Sequence, residues 1–254
     1  NGYVADDRTN ESVARTLEFA LSDYCIAQMA KALGKTTDYE DLMRRAKNYR
    51  YLYNPKTKLF QARNADGSWA GEHSGFTEGA NWTYQFCVMQ DVQGLIDLMG
   101  GNESFAAALD NVFDNGHYRH DNEPGHHYVY LYNYCGRFDK AQERIPEILD
   151  THYRNGADGL SGNDDCGQMS AWYLFSSLGF YPVTPASGEY ALGIPRFPSA
   201  RVELPHGKVL TVRAEGLKEH KHLPVILFNG KKLDAPFIAI RDLMKGGVLE
   251  FKAE

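Results

Sequence analysis

Between residues 11 and 33, apolar side chains recur at helical spacing: Val13, Leu17, Leu21, Tyr24, Ile26, Met29 and Leu33, with Gly34 just beyond. That spacing predicts an amphipathic helix that the glycine stops, and Asn10 or Ser12 can cap its start. The stretch YEDLMRRAKNYRYLYN (39–54) places Leu42, Ala46, Tyr49 and Tyr53 on one face and predicts a second helix. NPKTKLF then reads as a turn and LFQARNADGSW as a loop or short hairpin. Helical spacing resumes over 82–89 and 92–99, as one broken helix or two, and ends at Gly100 and Gly101. A short helix over 104–113 presents Phe105, Leu109, Val112 and Phe113. Pro124 suits the first position of a helix through PGHHYVYLYNYCG that stops at Gly136. With 139–149 and 165–178, the pattern predicts about seven helices joined in hairpin pairs.

After Gly179 the period changes. YALGIPRFPSARVEL, KVLTVRAEGL, LPVILFNGKKL and GGVLEFKAE alternate apolar and polar residues between Gly, Pro and Asn-Gly breaks, which predicts four to six strands. A run of helices followed by a run of strands argues for two packed units, 1–181 and 182–254, rather than an α/β weave.

Composition narrows the function classes. The chain has 254 residues, of which 43% are hydrophobic, enough for a sizeable core. Its 16 tyrosines and 13 phenylalanines either pack helices or line a cleft for a sugar or aromatic ligand. A net charge of −6, with no block of Lys and Arg, argues against a nucleic-acid partner. Nor is there an apolar run of about 18 residues, so no membrane span is expected. Cys25, Cys87, Cys135 and Cys166 form no CxxC pair; the first three read as buried thiols in helical patterns. The opening NGYVADDRTNESV shows neither an initiator methionine nor a signal-peptide pattern, so the chain is expected to be part of something longer.

Four loops carry acids at helix starts or breaks: GFTEGANWTYQF with Glu78, VMQDVQG with Asp91, RHDNEPGHHYVYLYNY with Asp121, Asn122 and Glu123, and SGNDDCGQ with Asn163, Asp164 and Asp165. Each acid has a plain structural use, accepting bonds from orphan helix N–H groups and complementing the macrodipole. Several such loops in one helical half-chain also fit another use. In toroids of helical hairpins alternate loops open at one end, where paired carboxylates are what glycosidic cleavage needs. His126 and His127 lack the i, i+4 partner of an HExxH site, and His117 and His120 carry no pattern of their own. Neither a phosphate loop nor GxSxG is present, which leaves kinase, Rossmann and α/β-hydrolase readings without support.

The segments TLEFALSDYCIAQMAKALGK, EGANWTYQF, QDVQGLIDLMGG, HDNEPGHHYVYLYNYCGR, GLSGNDDCGQMSAWYLFSSLGFYPV and YALGIPRFPSARVEL follow in this order. Together they resemble glycoside hydrolase family 92, the calcium-dependent exo-acting α-mannosidases, and the resemblance covers essentially the whole chain. It implies a mainly α fold with C-terminal β structure: the last half of an (α/α)6 barrel followed by antiparallel strands of a sandwich. An N-terminal β-sandwich and the early barrel helices, absent from this sequence, would be its intramolecular partner. The implied activity is hydrolysis of terminal non-reducing α-mannosides, on N-glycan or mannan, with inversion and with Ca2+ holding the sugar's O2 and O3. By motif, Glu78 would be the general acid and Asp165 the general base, with Asp164 as the alternative base. Trp82, Asn122, Glu123, His126 and Gln168 would bind substrate, and Asn122 and Glu123 are the implied calcium ligands. Secretion or a periplasmic location follows from family habit alone.

Physical requirements come with these roles. Glu78 must stay protonated near neutral pH, so its loop is expected to be partly desolvated, under Trp82. Asp165 must stay ionised, which a helix N-terminus favours. Two departures from the family pattern bear on competence. Asn163 stands where some relatives carry a further acid, and the segment between LDNVFD and NGHYRHDNEP is shorter than usual. They keep open a glycosidase for another α-linked sugar, or a truncated chain that binds sugar without turnover.

Overall fold

The computed structural model describes residues 1–253. Its elements run, in chain order, as α1 (Ser12–Ala32), α2 (Thr36–Arg45), β1 (Tyr53–Asn54), β2 (Leu59–Phe60), α3 (Asn81–Tyr84), α4 (Val92–Leu98), α5 (Asn102–Asp114), α6 (Phe138–Thr151) and α7 (Gln168–Leu178). They continue as β3 (Phe180–Tyr181), β4 (Glu189–Leu192), β5 (Ser199–Glu203), β6 (Val209–Ala214), β7 (Val225–Phe228), β8 (Lys231–Lys232), β9 (Phe237–Ala239), α8 (Ile240–Leu243) and β10 (Gly247–Lys252). The chain is therefore helical first and sheet-forming last. It divides into two compact units, Asn1–Tyr118 with Thr184–Ser187, and Arg119–Val183 with Gly188–Glu254.

In the first unit α1 and α2 form an antiparallel pair. Val13, Leu17, Ala20, Ala27 and Ala30 of α1 are buried, and Asp23 on the same face is neutralised by Arg45 of α2 at 2.8 Å. The helix expected over 39–54 stops early. After Arg45 the chain tightens into a 3-10 turn (Asn48–Leu52) and then the β1–β2 hairpin, where Tyr53 and Phe60 pair. Tyr and Asn are indifferent helix formers, and Tyr49, Leu52 and Tyr53 gain more by burial here than by continuing the helix.

In the second unit the stretch 124–136 departs from the predicted α-helix. It forms two 3-10 turns, Glu123–Gly125 and Tyr128–Asn133. Every residue of the latter is buried. Three tyrosines and a valine within six residues have low helix propensity, and their side chains leave in all directions into the core. Asn133 and Gln142 join this helical layer to the strands. Asn133 donates to the Leu192 carbonyl at 2.7 Å, and Gln142 donates to Gly193 and Leu223 and accepts from the Leu223 N–H at 2.9 Å.

The strand region holds eight strands among the described residues, more than the four to six predicted, because β3, β8 and β9 are fragments of two or three residues. One sheet has the order β3-β4-β9 and the other β5-β6-β10-β7-β8. Pairing is antiparallel with one exception: β10, the last strand, inserts between β6 and β7 and runs parallel to β6. A parallel pair needs a long crossover, and residues 215–246 supply it. Alternation places Leu210, Val212, Leu249 and Phe251 in the core.

Gln142 is 1% exposed and closes three hydrogen bonds at once. Gln142→Leu keeps the volume and strands three backbone groups, so it should cost roughly 2–5 kcal/mol. Urea unfolding should show this as a lower midpoint at unchanged slope.

Candidate active site

The Glu78 loop is anchored to the N-terminus of α1. The Gly75 carbonyl accepts the Val13 and Ala14 N–H groups at 2.9 and 3.0 Å, two donors with no partner inside the helix. Gly75 adopts φ +86°, and a β-carbon there would lie 2.6 Å from Ser12 Oγ. Asp6 joins the same helix start to the loop, accepting from Ser12 Oγ at 2.7 Å and from Ser74 Oγ. On the far side, the Tyr84 hydroxyl donates to the Thr77 carbonyl at 2.9 Å. Burial first, and nearby acidic groups after it, push the Tyr84 phenol up to about 12. Between these anchors Glu78 is exposed, with left-handed backbone at φ 50°. The partial burial expected for Glu78 is thus not seen, and Trp82 stacks on His117, with ring centroids 4.4 Å apart and planes within 6°.

Asp91 takes the capping role. It accepts from Gly94 N at the start of α4 and from the Tyr49 hydroxyl at 2.7 Å, with Arg50 beside it.

In the second unit two loops lie backbone against backbone. A β-carbon on Gly162 would sit 2.3 Å from the Asp121 carbonyl oxygen, so glycine is what lets 161–168 reach 119–127. Asp121 is engaged by Arg119 through two hydrogen bonds, at 2.5 and 2.7 Å, and that bonding holds its carboxyl below the ordinary range. Asn122 accepts from the Glu123 N–H at 3.0 Å. His126 is fixed at both ring nitrogens, Nε2 on the His120 carbonyl at 3.0 Å and Nδ1 on the Gln168 amide at 3.2 Å. The Gln168 amide also donates to the Tyr181 hydroxyl at 3.0 Å. Burial is the main cause that pushes the Tyr181 phenol up to about 12.

The two adjacent acids of the GNDD motif have separate jobs. Asp164 accepts from Ser170 N at 2.9 Å and Ser170 Oγ at 3.1 Å, and so caps the start of α7. Asp165 does not cap. Its backbone is left-handed at φ 44°, followed by Cys166 at 59° and Gly167 at 89°. Its carboxylate is exposed and makes no hydrogen bond among the described residues. Two consecutive non-glycine residues in that region cost on the order of 1–2 kcal/mol each, less for Asp.

Behind both loops lie residues the sequence pattern did not single out. His120 is fully buried, 2.7 Å from the Tyr153 hydroxyl and edge-on to Trp172 at 4.5 Å. Burial, reinforced by His126 and His152, lowers the His120 imidazole to about 2. His126 and His152 are lowered for the same first reason. A polar residue two places before Asn122 in a carboxylate-bearing motif was the available signal for His120.

The cysteines are all free thiols; Cys25 is half-buried rather than buried, and Cys166 is exposed. Among the described residues, no three His, Cys, Asp or Glu side chains gather where they could hold a metal ion. Asn122 and Glu123 alone are two oxygen donors, against the six to eight oxygens that calcium takes. These residues fit part of a calcium shell and not a complete one. No helix is long and apolar enough to cross a membrane among the described residues.

A family model, the glycosyl hydrolase family 92 catalytic domain, matches residues 1–254. The chain is similar to a family GH92 α-mannosidase from Bacteroides thetaiotaomicron, with a TM-score of 0.94 and 42% identity over 99% of this chain and 35% of that one. The same relative in complex with mannoimidazole superposes with a TM-score of 0.92 at 40% identity, over 100% and 37%. An inverting GH92 mannosidase from that organism matches with a TM-score of 0.92 at 34% identity, over 99% and 38%. The chain is also 28% identical to a protein of Arthroderma benhamiae named an uncharacterized secreted glycosidase, over 98% of this chain and 36% of the relative. That alignment runs over 281 positions against 254 residues here, so the relative carries segments with no counterpart in this chain. The chain thus spans little more than a third of the length of these relatives.

The split between Asp164 and Asp165 is measurable. Asp164→Ala should destabilise by about 1 kcal/mol through the lost cap. Asp165→Gly should be neutral or stabilising by up to about 1 kcal/mol, because glycine relieves the left-handed backbone. Thermal melts of the two variants should move in opposite directions or only the first should fall.

Acid should destabilise the second unit through its buried imidazoles. Their folded values lie below the unfolded 6.5, so the unfolded chain binds protons that the folded one does not. Stability is therefore complete above 6.5 and declines as pH falls below it, continuing for His120 toward about 2. The slope should approach about 1.4 kcal/mol per pH unit for each such histidine. Denaturation midpoints between pH 7 and 4.5 should fall less steeply in His120→Gln.

Proposed function

Because the chain belongs to glycosyl hydrolase family 92, we propose that it carries the acid and base of an inverting exo-α-mannosidase acting on terminal non-reducing α-mannosides. The observation that carries the assignment is backbone conformation combined with bonding. Of the acids in the four loops, Asp91, Asp121 and Asp164 are held by Tyr49, Arg119 and Ser170 in structural bonds. Glu78 and Asp165 both sit exposed on left-handed residues, a conformation that is costly for a side chain used only to cap a helix, and the Asp165 carboxylate makes no hydrogen bond among the described residues.

In this reading Glu78 protonates the departing glycosidic oxygen and Asp165 takes a proton from the water that attacks C1 from the opposite side. Asp164 becomes the second choice for the base, since its two oxygens already accept from Ser170. An inverting pair needs about 6.5–9.5 Å between carboxyl groups to admit that water. Keeping Glu78 protonated requires cover that its exposed loop does not have among the described residues, and a bound sugar or the rest of a full-length polypeptide would supply it. Trp82, stacked on His117, would add an aromatic surface against an apolar sugar face. His126 and Gln168 are supports that hold the loop of Asn122 and Glu123. Support also comes from the relatives named for inversion and for the mannoimidazole complex.

Calcium belongs to the same proposal, with Asn122 and Glu123 as its protein ligands; hard oxygen donors suit the ion, and water and sugar hydroxyls would complete its shell. The barrel is read as the later part of an (α/α)6 toroid (1–181) followed by the β region (182–254), with an N-terminal sandwich and early helices as its intramolecular partner. N-glycan or mannan is the proposed substrate source, and secretion the proposed location, in line with the name of the Arthroderma relative.

Proton NMR of α-mannobiose incubated with the protein and calcium tests the reading. β-Mannose should appear first, disappear with a chelator, and fall by about 100-fold or more in Glu78→Gln and Asp165→Asn. First-formed α-mannose would overturn the inverting pair. Hydrolysis unaffected by chelation would remove calcium, and sugar binding without turnover would favour a binding chain. Intrinsic Trp fluorescence on calcium addition gives a readout of the ion independent of turnover.

A further inference from the structure

Four hydrogen bonds close a circuit between the two loops of the second unit. His120 Nε2 lies 2.7 Å from the Tyr153 hydroxyl, which itself donates to the Met169 carbonyl at 3.1 Å. Next to Met169 along the chain, the Gln168 amide meets His126 Nδ1 at 3.2 Å, and His126 Nε2 meets the His120 carbonyl at 3.0 Å. The circuit therefore begins and ends on His120.

Donor counting fixes its direction. A phenol has one proton, and Tyr153 spends it on the Met169 carbonyl, so its oxygen must accept from His120 Nε2–H. A carbonyl only accepts, so His126 carries its proton on Nε2 and receives the Gln168 N–H at Nδ1. His126 is then a neutral imidazole, and each bond has one donor and one acceptor. The surroundings leave little freedom: the Trp172 indole donates to the His126 carbonyl at 2.8 Å and stacks parallel to Tyr153 at 5.9 Å.

The placement of this circuit is what gives it a role. Asn122 and Glu123 are among the five residues between His120 and His126. Asp164 and Asp165 bond through their carbonyls to the N–H groups of Met169 and Gln168. One loop is thus pinned at both of its ends by imidazoles, and the other is pinned through the first turn of α7. We propose that His120 and Tyr153 are positioning residues that set the Asn122–Glu123 pair against the Asp164–Asp165 pair. They do so without touching substrate, and the catalytic part of this statement rests on the proposed function.

Tyr153→Phe keeps the ring and its stack and deletes both bonds of the hydroxyl. A displacement of about 1 Å at a reacting group costs on the order of 100-fold, so kcat should fall by about 10- to 100-fold with KM within about 3-fold. His120→Gln can still present an N–H at the Nε2 position and should recover most of the rate, whereas His120→Leu should not. Crystal structures of wild type and Tyr153→Phe supply the readout that needs no turnover. The backbone separation between 122–123 and 164–165 should change by more than about 0.5 Å in a folded protein. An unchanged separation, or a lowered melting temperature with unchanged kcat, would overturn the positioning role. A wild type that hydrolyses no α-mannoside would sink the functional reading while the structural comparison still decides this one.

Discussion

The start of α7 is the constraint around which the second unit is arranged. A helix N-terminus presents N–H groups that need acceptors; one Asp164 carboxylate oxygen takes the Ser170 N–H while the other takes the Ser170 hydroxyl. Once Asp164 is committed there, the chain has only Asp165, Cys166 and Gly167 in which to turn into the helix, and all three turn left-handed. Glycine does so freely, while the other two do so against the β-carbon penalty. The consequence is that the Asp165 carboxylate stays exposed and takes no bond from the helix end. A cap and an uncommitted carboxylate therefore come from the same pair of adjacent acids.

A strained turn of this kind persists only where its surroundings over-determine it. Here the surroundings are aromatic and largely dry. Trp172, Tyr128, Tyr130 and Tyr132 are essentially buried, with Tyr130 stacked on Tyr181 at 5.0 Å and hydroxyl-bonded to Ser176 at 2.8 Å. Such a core supplies large apolar area together with polar ends that must find partners. Those partners are Gln168, Ser176, Met169 and His120, which is how polar loops come to be bolted to a hydrophobic interior. The same dryness keeps the imidazoles neutral, and a neutral His126 ring both donates and accepts, as its place in the circuit requires. A protonated ring would have two donors and no acceptor.

Much of this was legible in the sequence, unevenly. Strongly periodic segments became helices close to their predicted bounds: 11–33 as Ser12–Ala32 and 139–149 within Phe138–Thr151. The Tyr-rich stretch after Pro124 defeated the pattern, because a segment buried on every side has no periodic face to read. Parallel insertion of β10 was equally hidden, since alternation fixes which face is buried and says nothing of which neighbour a strand finds. Within the candidate site, the motif loops 119–127 and 161–168 do lie against each other, whereas burial and backbone sign did not follow from the motifs. Glu78 was expected under Trp82, yet it is exposed, and the indole stacks on His117, a residue 35 positions later in the chain. His120 and Tyr153 escaped notice because a single histidine and a single tyrosine carry no spacing signal. Their meaning lies in a contact across 33 positions.

The recurring difficulty with acids at helix starts is that capping and catalysis want the same residue types in the same places. Composition cannot separate them, and neither can motif position, since Asp164 and Asp165 are neighbours. Bonding and conformation can. A capping carboxylate lowers the energy of the backbone around it, so it is found bonded to that backbone, as Asp91 is at the start of α4. A carboxylate kept for a ligand contributes nothing to the free fold and is found where the fold tolerates it. Asp165 is in that second state, exposed, left-handed and next to an Asp that has already satisfied the helix. On the proposed function, stability and catalysis are divided between adjacent side chains, and the strain at 165–166 is the energetic trace of that division.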